Sequence, residues 1–240
     1  MHDFGKVAYL GVHKTGSSFI TRFLRRNLLL QEVSFAKHAP VGNAYNPDTF
    51  YFISARDPLA QYISLYRYGL DGRGGLFHQL LQSGHGELYQ PDSIHAFEKW
   101  LAWMLDPKTA HLLSDKYQKA QPGLYGFQTF RFLNLSFQHP GRALRQSHDK
   151  RSLYAAYQAE KVHSWLVRTE HMNADLEHLA VSILGEYFKP PARIRRFLQN
   201  SGKKNVSKAG AHMDWKKISP DLRAHIKARE WFLYDHVLGQ

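Results

Sequence analysis

The residues best suited to chemistry cluster early in the chain. In "YLGVHKTGSS", residues 9–18, Lys14 precedes Thr15 and Gly16, and Ser17 and Ser18 follow. A strand that passes through such a turn into a helix aims backbone N–H groups and the positive end of the helix dipole at one point. Gly11 and Gly16 let the backbone curl without Cβ clashes. Lys14 adds a cation, and the three hydroxyls add donors. Together they make an anion site. The order G-x-x-K-T-G-S-S differs from the usual triphosphate loop, G-x-x-x-x-G-K-[ST], whose lysine follows the second glycine. The plainer alternative is a Gly-Ser turn whose hydroxyls simply cap the helix.

A second group lies in "ISARDPLAQYISLY", residues 53–66. Arg56 ends a predicted strand and Ser64 falls in the second turn of the next helix, a pair able to clamp one further phosphate at the carboxyl edge of the sheet. The alternative pairs Arg56 with Asp57 and makes Ser64 a small packing residue. His38, in "FAKHAPVG" after the second predicted strand, reaches the same edge. An imidazole with an ordinary pKa of about 6.5 suits proton removal near neutrality. His13 and Glu32 are the other candidates for a base, and Lys37 is placed to steer an anionic acceptor. No set of carboxylates stands out that would hold a dication, so no metal is expected.

The elements that must position these groups are readable from periodicity. "KVAYLGV" (6–12) is a buried strand ended by Gly11. In "SSFITRFLRRNLLLQ" (17–31), Ile20, Phe23, Leu24 and Leu28 recur at helical spacing. "VSFAKHA" (33–39) is a second strand and "DTFYFISAR" (48–56) a third, apolar on both faces as in the middle of a parallel sheet. Asp57 is a natural N-cap and Pro58 suits the first helical position. Residues 70–92, rich in Gly, His and Gln, read as a loop or lid. "PDSIHAFEKWLAWMLDP" (91–107) is a helix with Phe97, Trp100, Leu101 and Met104 as its buried stripe. Residues 108–150 carry no clear pattern. "HSWLVRTE" (163–170) is a strand, 172–188 a helix, "SGKKNVSKAGAH" (201–212) a basic loop and 219–238 a closing helix. Arg168 and Glu170 are expected to form a buried structural pair. Alternating strands and helices predict one α/β domain over residues 1–240 with a central parallel sheet flanked by helices.

Composition narrows the partners. Thirty-two basic against twenty acidic residues leave a net charge of +12, with fifteen histidines besides. Such an excess favours polyanionic partners. The basic residues are scattered and not interleaved with aromatics in a recognisable module, so nucleic acid is not expected. Cysteine is absent, which excludes disulfides and thiolate metal sites. No apolar run reaches the roughly 18 residues that span a bilayer, which leaves at most peripheral membrane contact. "MHDFGKVAYLG" lacks the pattern of a secretory signal. A cytoplasmic protein is expected.

"HKTGSSFI" followed after a further strand by "ARDPLAQYISLY" resembles the sulfotransferases that use 3′-phosphoadenosine-5′-phosphosulfate (PAPS). The similarity is nearest to the bacterial and Golgi carbohydrate branch, whose loop reads H-x-P-K-T-G-[GS]-[ST]-[ST]. It extends to "FQTFRFL" (127–133), "VRTEHMNADLEHL" (167–179), "KKNVSK" (203–208) and the ending "SPDLRAHIKAREWFLYDHVLG". The resemblance implies a P-loop NTPase-like fold and sulfuryl transfer to a hydroxyl or amine acceptor, a glycan or glycolipid. It makes 3′,5′-bisphosphoadenosine (PAP) the product. Donor binding then falls to His13, Lys14, Thr15, Gly16, Ser17 and Ser18 around the 5′-phosphosulfate, and to Arg56 and Ser64 around the 3′-phosphate. Lys204, Asn205, Ser207 and Lys208 of the basic loop are further candidates. Lys14 and His38 become the catalytic pair, with acceptor contacts in 70–150. Two positions depart from the pattern. His13 stands where proline is common, and Gln61 where a second arginine is common. The rival functions are a triphosphate-dependent kinase, with Asp57 on magnesium, and a non-catalytic polyanion binder.

Overall fold

The computed structural model describes residues 1–90, 93–201, 209–210 and 213–239. The described chain is α/β, with a five-stranded mixed sheet and flanking helices. It divides into two compact units. The first comprises Met1–Arg56, Phe132–Ala143 and Tyr154–Asn205; the second comprises Asp57–Arg131, Leu144–Leu153 and Val206–Gln240.

The first unit holds the sheet. Its strands are β1 (His2–Asp3), β2 (Val7–Leu10), β3 (Ser34–Phe35), β4 (Phe50–Ala55) and β5 (Trp165–Arg168), in spatial order β3-β1-β2-β4-β5. β2, β4 and β5 are parallel, with Leu10 opposite Ile53 and Ala55 opposite Arg168. The expected parallel sheet is thus this three-stranded core, and the whole sheet is mixed. The cause is local. Only Phe4–Lys6 separate β1 from β2, and Gly5 turns there at φ 80 with Phe4 N donating to Val7 O. So short a link forces antiparallel pairing. The strand expected over 33–39 shrinks to β3, which pairs only with β1.

Helix α1 (Ser17–Asn27) buries Ile20, Phe23 and Leu24 on the sheet, with Leu28 at its end. Tyr9, Phe52, Val167 and Leu176 complete the same core. The helix expected over 172–188 stops early. An α-helical stretch, Met172–His178, passes into a π turn at Leu179–Ile183, then a 3₁₀ turn at Gly185–Tyr187. Leu179, Ala180 and Leu184 are all buried, and the wider turn accommodates that spacing. Arg168 forks onto Asp175 through bonds of 3.1 and 2.9 Å and is half-buried, and Glu170 adds to the negative charge around it. The bidentate bonds of Arg168 thus go to Asp175, five residues beyond the expected partner Glu170.

The second unit is helical. In chain order after α1 come α2 (Pro58–Leu70), α3 (Gly75–Gln82), α4 (Ile94–Leu105), and the single turns α5 (Ala110–Leu113) and α6 (Asp115–Gln118). α7 (Phe127–Ser136), α8 (Pro140–Gln146) and α9 (Lys150–Glu160) run from one unit into the other. α10 (Met172–His178) and α11 (Pro191–Asn200) belong to the first unit and α12 (Pro220–Arg229) to the second. Asp57 caps α2 by accepting from Ala60 N at 2.7 Å, with Pro58 at the first position, as expected. Part of the expected loop at 70–92 is α3. The closing helix is α12, capped by Ser219 and followed by a π segment at Leu233–Leu238. α4 buries the expected stripe, Phe97, Trp100, Leu101 and Met104. Among the described residues no helix is long and apolar enough to cross a membrane.

Glu230, fully buried, ties the second unit together. Its carboxylate accepts from Gln128 N (3.1 Å), Thr129 N (2.8 Å), Thr129 Oγ1 (2.7 Å) and the Tyr62 hydroxyl (2.6 Å). It caps α7 from across the sequence. Burial first, then the neighbouring Glu230 charge, push the Tyr62 phenol well above its usual pKa, which keeps it a donor. Glu230→Ala leaves these donors buried and unpaired, and is expected to cost about 3 kcal/mol in chemical denaturation. A loss below about 1 kcal/mol would remove Glu230 from this role.

In the first unit, His163 is buried just before β5, with Nε2 3.3 Å from the Tyr157 hydroxyl. Burial, with a lesser contribution from Lys161, lowers its pKa from 6.5 to about 3. Between those values the unfolded chain binds the extra proton. Stability is therefore complete above pH 6.5 and falls as the pH drops toward 3, by roughly 1.4 kcal/mol per pH unit. Urea titrations at stepped pH should show this slope, and His163→Phe should flatten it.

Candidate functional site

The lysine turn leaves the end of β2 and enters α1. Gly16 is the N-cap, left-handed at φ 81, and makes no side-chain cap bond. No acidic residue occupies the first turn of α1. The hydroxyls that were candidates for caps point elsewhere. Ser17 Oγ and Thr15 Oγ1 both donate to Val12 O at 2.8 Å. The turn is therefore not a serine-capped helix start, and its N-terminal dipole is not offset by a side-chain acceptor at the cap. Ser18 is exposed at the start of α1, and Lys14 and Ser17 are half-buried.

Thr15 is fully buried and serves the fold beneath the turn. Its one hydroxyl hydrogen goes to Val12 O, so the 2.6 Å contact with Ser54 Oγ must be a bond that Ser54 donates. Ser54 has then spent its hydrogen, and Tyr9, 2.7 Å away, donates to it. The direction runs from Tyr9 through Ser54 and Thr15 to the Val12 carbonyl. Burial pushes the Tyr9 phenol up to about 12, consistent with a donor that keeps its proton. Thr169, just after β5, gives its hydroxyl to both Thr15 O (3.1 Å) and Ala55 O (3.0 Å). Thr15 was expected to touch the donor with its side chain, but that hydroxyl is turned inward.

Other predicted residues gather at the same turn. His38 Nδ1 lies 2.6 Å from Gly11 O, and the His38 and His13 rings stack with centroids 3.5 Å apart. Arg56 Nη1 donates to Lys14 O at 3.3 Å. His13, Lys14, His38 and Arg56 thus meet within the first unit. Lys37 is exposed beside His38 in the chain. Glu32 is removed from the candidate bases. It accepts from Arg25 Nε (3.0 Å) and Nη2 (2.8 Å) and pairs with His2 Nδ1 (2.6 Å). Burial alone would raise its pKa, but these bonds outweigh it and hold the carboxyl below its usual range. Ser64, half-buried on α2, belongs to the second unit, so its link to Arg56 rests on their sequence separation. Lys204, Asn205, Ser207 and Lys208 lie outside the described residues.

Sequence reasoning missed Tyr9, Ser54, Thr169 and Met172. Ser54 carried a signal: a lone hydroxyl in the apolar strand "FYFISA" needs a buried partner. Met172 carried none. A Cβ on Gly16 would lie 2.3 Å from Met172 Cε. Among the described residues no group of three or more histidine or acidic side chains is arranged to hold a metal ion. Comparison with protein families, curated proteins and solved structures finds no match for the chain.

Gly16→Ala must adopt a left-handed backbone and displace Met172, and is expected to lower stability by about 1–3 kcal/mol. Thr15→Val breaks the hydroxyl chain and should cost about 1–2 kcal/mol. Thermal unfolding of both variants checks this, and an unchanged Thr15→Val would place the hydroxyl chain outside the stability of the turn.

Proposed function

We propose that the chain transfers a sulfuryl group from PAPS to a hydroxyl or amine acceptor, a glycan or glycolipid, on a P-loop NTPase-like architecture in the cytoplasm. One observation carries this reading. His38 is tied to the carbonyl of Gly11, at the root of the lysine turn, so a base and an anion cradle share one support. Arg56 against the Lys14 carbonyl adds a second cation to the same turn. The net charge of +12 suits both a doubly phosphorylated nucleotide and an anionic glycan.

His38 takes the acceptor's proton as the acceptor oxygen forms its bond to sulfur. The bond from sulfur to the 5′-phosphate oxygen breaks in line, and negative charge collects on that oxygen. Lys14 and the N–H groups at the start of α1 stabilise this charge, a role that can supply several kcal/mol. By resemblance Arg56 and Ser64 hold the 3′-phosphate, and the basic segment 201–212 adds to the nucleotide side. Against the kinase alternative stands Asp57, whose carboxylate is engaged as the cap of α2.

Calorimetry with PAP in the presence of a chelator tests the donor site. Lys14→Ala and Arg56→Ala should each weaken binding about tenfold or more, as expected for a lost charge-assisted phosphate contact. His38→Ala should keep the affinity and lose transfer of radiolabelled sulfate to a glycan and glycolipid panel. Preference for ATP with magnesium, or affinity indifferent to Lys14 and Arg56, would overturn the assignment.

A further inference from the structure

We propose that His13 is a positioning residue which, with the Gly11 carbonyl, fixes His38 as a single tautomer carrying its proton on Nδ1 and its acceptor lone pair on Nε2. Two contacts combine to do this. The first is the 2.6 Å approach of His38 Nδ1 to Gly11 O. A carbonyl oxygen only accepts, so the hydrogen of that bond belongs to Nδ1, an assignment made from the partner. In the neutral ring Nε2 is then the basic nitrogen.

The second contact sets the plane of the ring. One hydrogen bond leaves an imidazole able to rock about the bonded atom. The His13 ring, with its centroid 3.5 Å away and its plane tilted by only 22°, covers one face and opposes that motion. Gly11 and His13 are both rooted in the segment that leaves β2, so the bond and the stack move together. His38 itself sits at φ 53, and Lys14, next to His13, at φ 63. A left-handed backbone is costly for a non-glycine residue, so neither conformation is a default of the chain. The segment that presents the cation thereby also orients the base. His13 is one of the two positions at which the sequence departs from the resembled motifs. In this chain it supplies a ring face.

The tautomer follows from geometry alone. Its effect on turnover rests on the sulfuryl-transfer reading. Nitrogen-15 NMR of the full chain with labelled histidine side chains, at about pH 8 where an ordinary imidazole is neutral, reads the tautomer directly. His38 is identified by the signal lost in His38→Gln. The expected pattern is a protonated Nδ1 and an unprotonated Nε2. His13→Ala should give shifts averaged between tautomers, and His13→Phe, which keeps a ring face, should restore the single form. With radiolabelled donor, His13→Ala should lower kcat about tenfold, with recovery in His13→Phe. An Nε2–H tautomer in the unaltered protein overturns the inference without recourse to any variant. So does a His13→Ala protein whose His38 signals do not move. A locked Nδ1–H form in a protein that transfers no sulfuryl group upholds the positioning and counts instead against the transferase reading.

Discussion

The lysine turn depends on a chain of buried hydroxyls beneath it. Tyr9 on β2, Ser54 on β4 and Thr15 in the turn pass hydrogen bonds in one direction to the Val12 carbonyl. All three side chains are fully buried. Each bond adds only about 1 kcal/mol net, but a member left unpaired in that interior would cost as much again or more. The chain therefore acts as a unit. Thr169 extends it by bonding both the turn and the end of β4 from the end of β5. The carboxyl ends of all three parallel strands are thereby tied to one loop of backbone, which holds the lysine turn in register with a sheet edge.

Rigidity is needed because the turn and its neighbour occupy costly conformations. Lys14 and His38 are the non-glycine residues with positive φ among those described, and both lie at this site. Strained backbone persists only where its surroundings over-determine it. Here the surroundings are identifiable: the hydroxyl chain below Thr15, the Arg56 bond to the Lys14 carbonyl, the Gly11 bond to His38 and the His13 stack. Gly16 adds a different constraint, since its φ of 81 disfavours a side chain and any Cβ would have to displace Met172. Packing under the turn thus falls to Thr15 and Gly16, while His13 and Lys14 carry the polar groups.

Much of this was legible in the sequence. The strand–turn–helix opening, the apolar central strand, the Asp57–Pro58 helix start and the buried stripe of α4 all follow from local pattern and are all present. That His38 reaches the carboxyl edge was expected from its place after a predicted strand, because the functional loops of open α/β sheets gather at that edge. The bond to Gly11 and the stack on His13 were not readable, since spacing places a loop near an edge without setting its backbone angles. Thr15 was assigned to the ligand by type. Whether a hydroxyl faces inward or outward in a turn depends on the φ of its neighbours, which no periodicity reports. α11 was not assigned, although Ile194, Phe197 and Leu198 keep helical spacing in a stretch that also carries Pro191 and three arginines.

The second unit shows where local reading fails for a definite reason. α7 begins at Phe127, and no Ser, Thr, Asp or Asn precedes it to mark a start. Its cap is Glu230, 102 residues away from Gln128 in sequence. Gly126 is required there because any Cβ would sit 2.2 Å from the Glu230 carboxylate. Arg229, the adjacent residue, takes up the carbonyls of Leu105, Pro122, Gly123 and Tyr125. The start of α7 goes unmarked locally because its cap comes from Glu230, which directly follows α12. A window along the sequence cannot register a cap that arrives from the far end. The cap nevertheless obeys the ordinary rule, a negative charge on the first amides of a helix.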